Sequence, residues 1–154
     1  MVSGLNGRPA VVWSAASLCI LISSIAVAEP TSAQLAVRAD GIPEPLEGRT
    51  GNAARGRELF QSRDANCSLC HLLPGADPRL MGNIGPAMDG VGNRWTPAEL
   101  RLRLVDPKHF NPATVMPSYV RTEGLHRVAA GYAGKPILDA QQIEDLVAFL
   151  SELR

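Results

Sequence analysis

The pentapeptide Cys67-Ser68-Leu69-Cys70-His71 constrains this chain more than any other feature of its sequence. Two thiols held two residues apart match the spacing of the vinyl groups of a haem, and each sulfur can form a thioether to one of them. The histidine that follows can then reach the iron. With three cysteines and three histidines among 154 residues, the pattern arises by chance about once in a thousand such chains. The competing readings are a redox dithiol and a zinc site. A thioredoxin-like dithiol belongs in a βαβ context, and no strand pattern is present. Zinc needs two further ligands, and the remaining histidines, His109 and His126, stand apart in a loop-rich stretch. The expectation is one covalent haem c, attached at Cys67 and Cys70, with His71 as an iron ligand.

The N-terminus shows where that chemistry takes place. Arg8 precedes the apolar run 11–25, then the small residues Ala26-Val27-Ala28, then polar sequence from Glu29. That order reads as a secretory signal peptide over residues 1–28. An uncleaved membrane anchor is the alternative, but the run is short for a span of roughly 20 residues. Cleavage removes Arg8 and no acidic residue, leaving 14 basic and 15 acidic groups. Such a balance argues against a nucleic-acid partner. Cleavage also removes Cys19, so the two motif cysteines are the only ones left in an exported protein. Their pair is then the place to look for chemistry. Periplasmic localisation without stable membrane insertion follows.

Residues 29–50, with Pro30, Gly41, Pro43, Pro45 and Gly48, lack helical periodicity and read as an extended arm, leaning towards disorder. Residues 51–154 form the remaining domain. A first helix is predicted from Asn52 to about Gln61, capped by Asn52, with Gly56 and Phe60 on one face. A glycine there costs about 1 kcal/mol relative to alanine, and close approach of another helix would explain it. Thr96-Pro97-Ala98-Glu99 starts a second helix as a capping box with proline in the first position; Leu100 and Leu104 give its stripe and Pro107 its end. The last helix starts near Asp139, with Gln142 as reciprocal cap and Ile143, Leu146, Val147, Leu150 and Leu153 at helical spacing. Residues 106–135 carry three prolines and three glycines. So long an irregular connection is unusual in a small domain unless it wraps a large cofactor. The fold class expected is all-α, with long loops around one haem.

The sixth iron ligand must come from the face opposite His71. Met81 and Met88 follow His71 too closely to cross over. Met116 lies 45 residues beyond it, in Val115-Met116-Pro117, where proline fixes the backbone. Met/His ligation is an established haem c arrangement, so Met116 is the expected axial ligand and His109 the runner-up; a core methionine is the plain alternative. Gly85-Pro86 is placed to pass beneath the imidazole and accept from its free N–H. Trp95 reads either as a donor to a haem propionate or as a core tryptophan. Arg94 and Lys135 read better as solvated surface charges than as propionate partners.

The layout Gly56…Phe60, Cys67–His71, Gly85-Pro86, Val115-Met116-Pro117 and a capped C-terminal helix resembles a small class I cytochrome c, which implies that the first and last helices cross near Gly56 and Phe149. A narrower likeness runs through Ile42-Pro43, Gly51–Arg57, Gly82–Gly92, Val105-Asp106-Pro107 and Gly124–Leu138. These tracts are similar to SoxX, the monohaem subunit family of the SoxAX complex of periplasmic thiosulfate oxidation. That resemblance implies heterodimerisation with a SoxA-type cytochrome and oxidative coupling of thiosulfate to a cysteine of the SoxYZ carrier (L-cysteine S-thiosulfotransferase activity of the complex). This subunit would transfer electrons to a downstream acceptor cytochrome and would not be active alone. The alternative is a free periplasmic electron shuttle, against which the arm counts mildly. A sensor with an open sixth position fits less well, because Met116 would fill it.

Overall fold

The computed structural model describes residues 36–154; the signal segment 1–28 and the first residues of the arm lie outside the described residues. Four helices carry the fold: α1 (Ala53–Gln61), α2 (Val91–Arg94), α3 (Pro97–Val105) and α4 (Ala140–Glu152). Single 3-10 turns at Leu46–Gly48, Cys67–Leu69, Pro78–Leu80, Pro107–His109 and Ala130–Tyr132 punctuate the connections. Among the described residues the sole β feature is a bridge between Arg38 and Gly41.

Each cap read from the sequence is formed. The Asn52 side chain accepts from the Arg55 amide at 3.0 Å. Thr96 with Glu99 and Asp139 with Gln142 close full capping boxes, and Pro97 opens α3 where its missing N–H costs nothing. The short α2 was not foreseen; it starts after Gly90 in the left-handed region, and Gly92 N–H donates to the Leu153 carbonyl at 2.8 Å. No helix among the described residues is long and apolar enough to cross a membrane.

The core forms where α1 crosses α4. Phe60 and Phe149, both buried, meet edge to face with centroids 5.9 Å apart, the arrangement that aromatic quadrupoles favour. Gly56 permits the crossing. A Cβ at that position would lie 2.0 Å from the Asp145 carbonyl oxygen and 2.7 Å from Phe149 Cβ, so any side chain would push the helices apart. The helix-interior glycine expected to mark a close approach does so.

Two acidic residues of α4 are buried among its apolar neighbours, and each gathers another segment. Glu144 receives Arg101 of α3 through Nε at 2.6 Å and a second guanidinium nitrogen at 2.8 Å; both side chains are 4% exposed. Asp145 accepts from the Asn52 amide at 2.7 Å, from Arg55 at 2.7 and 2.8 Å, and from Gln141 at 3.0 Å. These bonds tie the start of α1 to α4.

The arm departs from the expectation over its described part. Ile42 and Leu46 are buried, the Leu46 amide donates to Glu144 Oε1 at 2.9 Å, and Arg101 donates to the Ile42 carbonyl. The Ile42 amide donates in turn to the Ala98 carbonyl at 3.0 Å. Prolines and glycines gave this stretch the look of disorder, but two apolar side chains four residues apart bury about 1.5–3 kcal/mol each. The backbone N–H and C=O groups of both residues find partners, which is enough to dock the segment.

Two stability predictions follow from these contacts. Gly56→Ala is expected to destabilise the protein by about 3 kcal/mol through overpacking, read as a lower urea midpoint; an unchanged midpoint would mean the crossing is wrongly described. Burial alone would raise the pKa of Asp145, but the bonds from Arg55, Asn52 and Gln141 outweigh it and hold the carboxyl below its usual value. A carboxyl depressed in the folded state adds stability above its unfolded pKa of about 3.9, and that stability is lost as pH falls through the folded value. Acid unfolding followed by circular dichroism should therefore steepen below about pH 4, and Asp145→Asn should flatten that part of the curve.

Candidate functional site

Helix α1 delivers the chain directly to the motif. Ser62 ends the helix with its hydroxyl donating to the Leu59 carbonyl at 2.8 Å. Asn66 then adopts a left-handed conformation at φ 54°, which asparagine tolerates better than most residues. Cys67–Leu69 form a 3-10 turn, and the His71 amide closes onto the Cys67 carbonyl at 2.9 Å. This tight turn brings Cys67, Cys70 and His71 together. Cys67 is buried and Cys70 partly so, and both are free thiols. Burial pushes the Cys67 thiol up, although its contact with the Tyr119 hydroxyl works the other way.

The segment after the motif folds back along it. Gly82 N–H donates to the Ser68 carbonyl at 2.9 Å, Gly85 N–H to Cys70 at 2.8 Å, and Met88 N–H to Leu72 at 2.9 Å. These bonds place Gly85-Pro86 against the imidazole, as the sequence led us to expect. His71 Nδ1 lies 2.7 Å from the Pro86 carbonyl oxygen. A carbonyl can only accept, so Nδ1 donates to it, which leaves Nε2 as the ring nitrogen that can bind a metal. Gly85 is the cradle, because a Cβ there would sit 2.3 Å from His71 Cε1. Arg94 holds the same loop from behind, donating to the carbonyls of Asp89 and, at 3.1 Å, Ala87. It is more than the solvated charge the sequence suggested.

Met81 and Met88 stay on this side, as expected: the Met81 sulfur accepts from the Leu73 amide at 3.3 Å, and Met88 is buried in the core. Met116 lies on the loop between α3 and α4, half-buried against the core, with its amide bonded to Thr114 Oγ1 at 3.1 Å. His126 is exposed, and exposed His109 contacts Asp40 of the arm at 3.3 Å. Trp95 is not a core residue: it is 36% exposed, and the Arg103 guanidinium lies over its ring at 3.5 Å and over that of Phe110 at 4.0 Å. Lys135 is exposed and donates to the Gly131 carbonyl.

Tyr119 was missed. It is buried, with its hydroxyl donating to the Ala65 carbonyl at 3.1 Å and lying 3.8 Å from Cys67 Sγ. Burial foremost, with the nearby Cys67, pushes its phenol well above the usual range, so it stays protonated. No spacing rule marks a single tyrosine in a loop.

The residues present fit a covalently attached haem. Two free thiols sit in one turn with an imidazole of fixed tautomer, a glycine leaves room for its ring, and a thioether is carried on a separate loop. Gly85→Val is expected to crowd the imidazole and to cut the yield of haem-bearing protein at least severalfold, measured as haem absorbance per polypeptide. A normal yield would show that the loop can retreat without consequence.

Comparison with known proteins agrees with this geometry. Residues 53–154 match the cytochrome c family. A chain of the crystal structure of SoxXA from P. pantotrophus superposes with a TM-score of 0.71 at 35% sequence identity, covering 82% of this chain and 98% of that one. No match was found among curated protein sequences. The chain therefore belongs to the cytochrome c family, as a SoxX-type class I cytochrome that carries covalently bound haem c.

Proposed function

We propose that this chain is the electron-transfer haem subunit of a periplasmic SoxAX-type complex, paired with a SoxA-type cytochrome. In that complex thiosulfate is oxidatively joined to a cysteine of a SoxYZ-type carrier, and the electrons leave through this subunit to a downstream cytochrome. The haem, when bound, supplies a one-electron ferric/ferrous couple. The observation that carries the reading is the hydrogen bond from His71 Nδ1 to the Pro86 carbonyl, which fixes a metal-binding imidazole within a SoxX-like fold.

The chain's own residues divide the work. Cys67 and Cys70 would hold the group through thioethers, and His71 and Met116 would supply its iron ligands. Pro86 and Gly85 hold the imidazole ring in one orientation, which keeps reorganisation small when the iron changes charge. With both ligands in place the iron would have no position for substrate, so turnover would belong to the partner. Each of the three segments that build the site also exposes an apolar side chain: Leu69 at 60%, Ile84 at 71% and Val115 at 82%. Exposed apolar side chains beside the site suit docking of a partner.

Met116→Ala is expected to keep the haem attached while lowering its reduction potential, because loss of the thioether removes the ligand that raises it. A redox titration showing an unchanged potential would assign the sixth position to another residue. For the function itself, the haem should be reduced in stopped-flow absorbance when thiosulfate and reduced carrier reach the reconstituted complex, and the isolated chain should show no turnover. Full-rate thiosulfate conjugation without this subunit would instead identify a free shuttle.

A further inference from the structure

We propose that Tyr119 is the positioning residue for the sixth iron ligand, its buried phenol clamping the Met116 loop to the turn that carries Cys67. The inference rests on Met116 being that ligand. Tyr119 follows Met116 by three residues. Main-chain bonds hold the base of its loop: Tyr119 N–H donates to the Leu104 carbonyl and Leu138 N–H to the Tyr119 carbonyl, each at 3.0 Å. The Ser118 hydroxyl donates to the Val105 carbonyl. These contacts tie the loop to the end of α3 and the approach to α4. None of them reaches the attachment turn.

The phenol does. Its hydroxyl lies 3.1 Å from the Ala65 carbonyl and 3.8 Å from Cys67 Sγ. Among the described hydrogen bonds, those of this hydroxyl are the ones that join residues 106–138 to residues 62–90. The single hydroxyl proton goes to the carbonyl, the stronger acceptor, so the clamp does not depend on an S–H at Cys67 and suits a sulfur that has become a thioether. Ala65 is buried as well, and the Cys67 sulfur, 3.8 Å from the Ala65 carbonyl, has no proton to offer once it is a thioether, so in the holoprotein that carbonyl has no ready substitute partner.

Such a clamp matters because a thioether is a weak iron ligand that exogenous bases can displace. A loop already held at the right distance gives up little freedom on ligation, whereas a loosened one gives up more and opens more often. Losing one buried hydrogen bond shifts such an equilibrium by roughly five- to tenfold. Tyr119→Phe removes the hydroxyl and keeps the ring, so packing is preserved.

The test uses holoprotein of the wild type, Tyr119→Phe, Met116→Ala and Asp145→Asn. Three quantities are read: the far-red charge-transfer band of thioether-ligated ferric haem, imidazole affinity, and reduction potential. Tyr119→Phe should retain covalent haem, bind imidazole about five- to tenfold more tightly than wild type, weaken the far-red band and lower the potential. Asp145→Asn, whose bonds lie at the α1–α4 contact, should lose thermal stability without moving those quantities, which separates positioning from general destabilisation. Wild-type imidazole affinity and potential in Tyr119→Phe, alongside a far-red band that Met116→Ala abolishes, would overturn the clamp while leaving the ligand in place. A far-red band absent from wild type and no effect of Met116→Ala would overturn the ligand assignment and the clamp with it.

Discussion

The contact on which the rest of this structure depends is the approach of α1 to the backbone of α4 at Gly56. A glycine allows a helix to lie against the Asp145 carbonyl where a side chain would otherwise stand, and Phe60 and Phe149 fill the space on one flank. Because α1 ends only a few residues before Cys67, the register of that crossing sets where the attachment turn begins. The two carboxylates beside the crossing extend the same logic. Glu144 draws in α3 and the arm, and Asp145 holds the start of α1. A buried ion pair such as Arg101–Glu144 adds little stability over a well-packed apolar pair. Its contribution here is to bring three segments that share no sequence periodicity to one place.

Around this frame the site is built mostly from main-chain hydrogen bonds. The tract from Gly82 to Met88 lies along the motif through three of them, and the imidazole receives its orientation from the Pro86 carbonyl. An orienting bond of this kind makes a metal-binding ring a more basic ligand. The distal side is arranged differently. Met116 sits on a long loop anchored at its base, and its link to the attachment turn passes through one phenol. The two side chains proposed to ligate the iron thus differ in how firmly the chain holds them.

What the sequence made legible follows from which interactions are local. Caps, the helix stripes, the motif turn and the glycine at the crossing depend on residues a few positions apart or on steric exclusion, and all were readable. The Gly85-Pro86 support was readable because a glycine-proline pair has few other uses in that place. Docking of Ile42 and Leu46 was not, since it requires Glu144 and Arg101 from distant parts of the chain. Glu144 and Asp145 themselves look like the solvated side of an amphipathic helix, and only tertiary contacts reveal that they are buried. The core reading of Trp95 did not hold, since the ring is exposed under Arg103, and the Asp89 and Ala87 carbonyls that Arg94 reaches are near in sequence but follow no helical or cap spacing that would reveal them.

All of this geometry has meaning for function only if one haem is joined to this chain at the turn following α1. The direct measurement is mass spectrometry of the mature native protein and of its tryptic fragment 64–79, which contains both cysteines. The expected result is a mass increase of a single haem, localised to that fragment and resistant to extraction with acidified acetone. A fragment with two unmodified thiols, or with Cys67 and Cys70 joined to each other, would contradict the assignment.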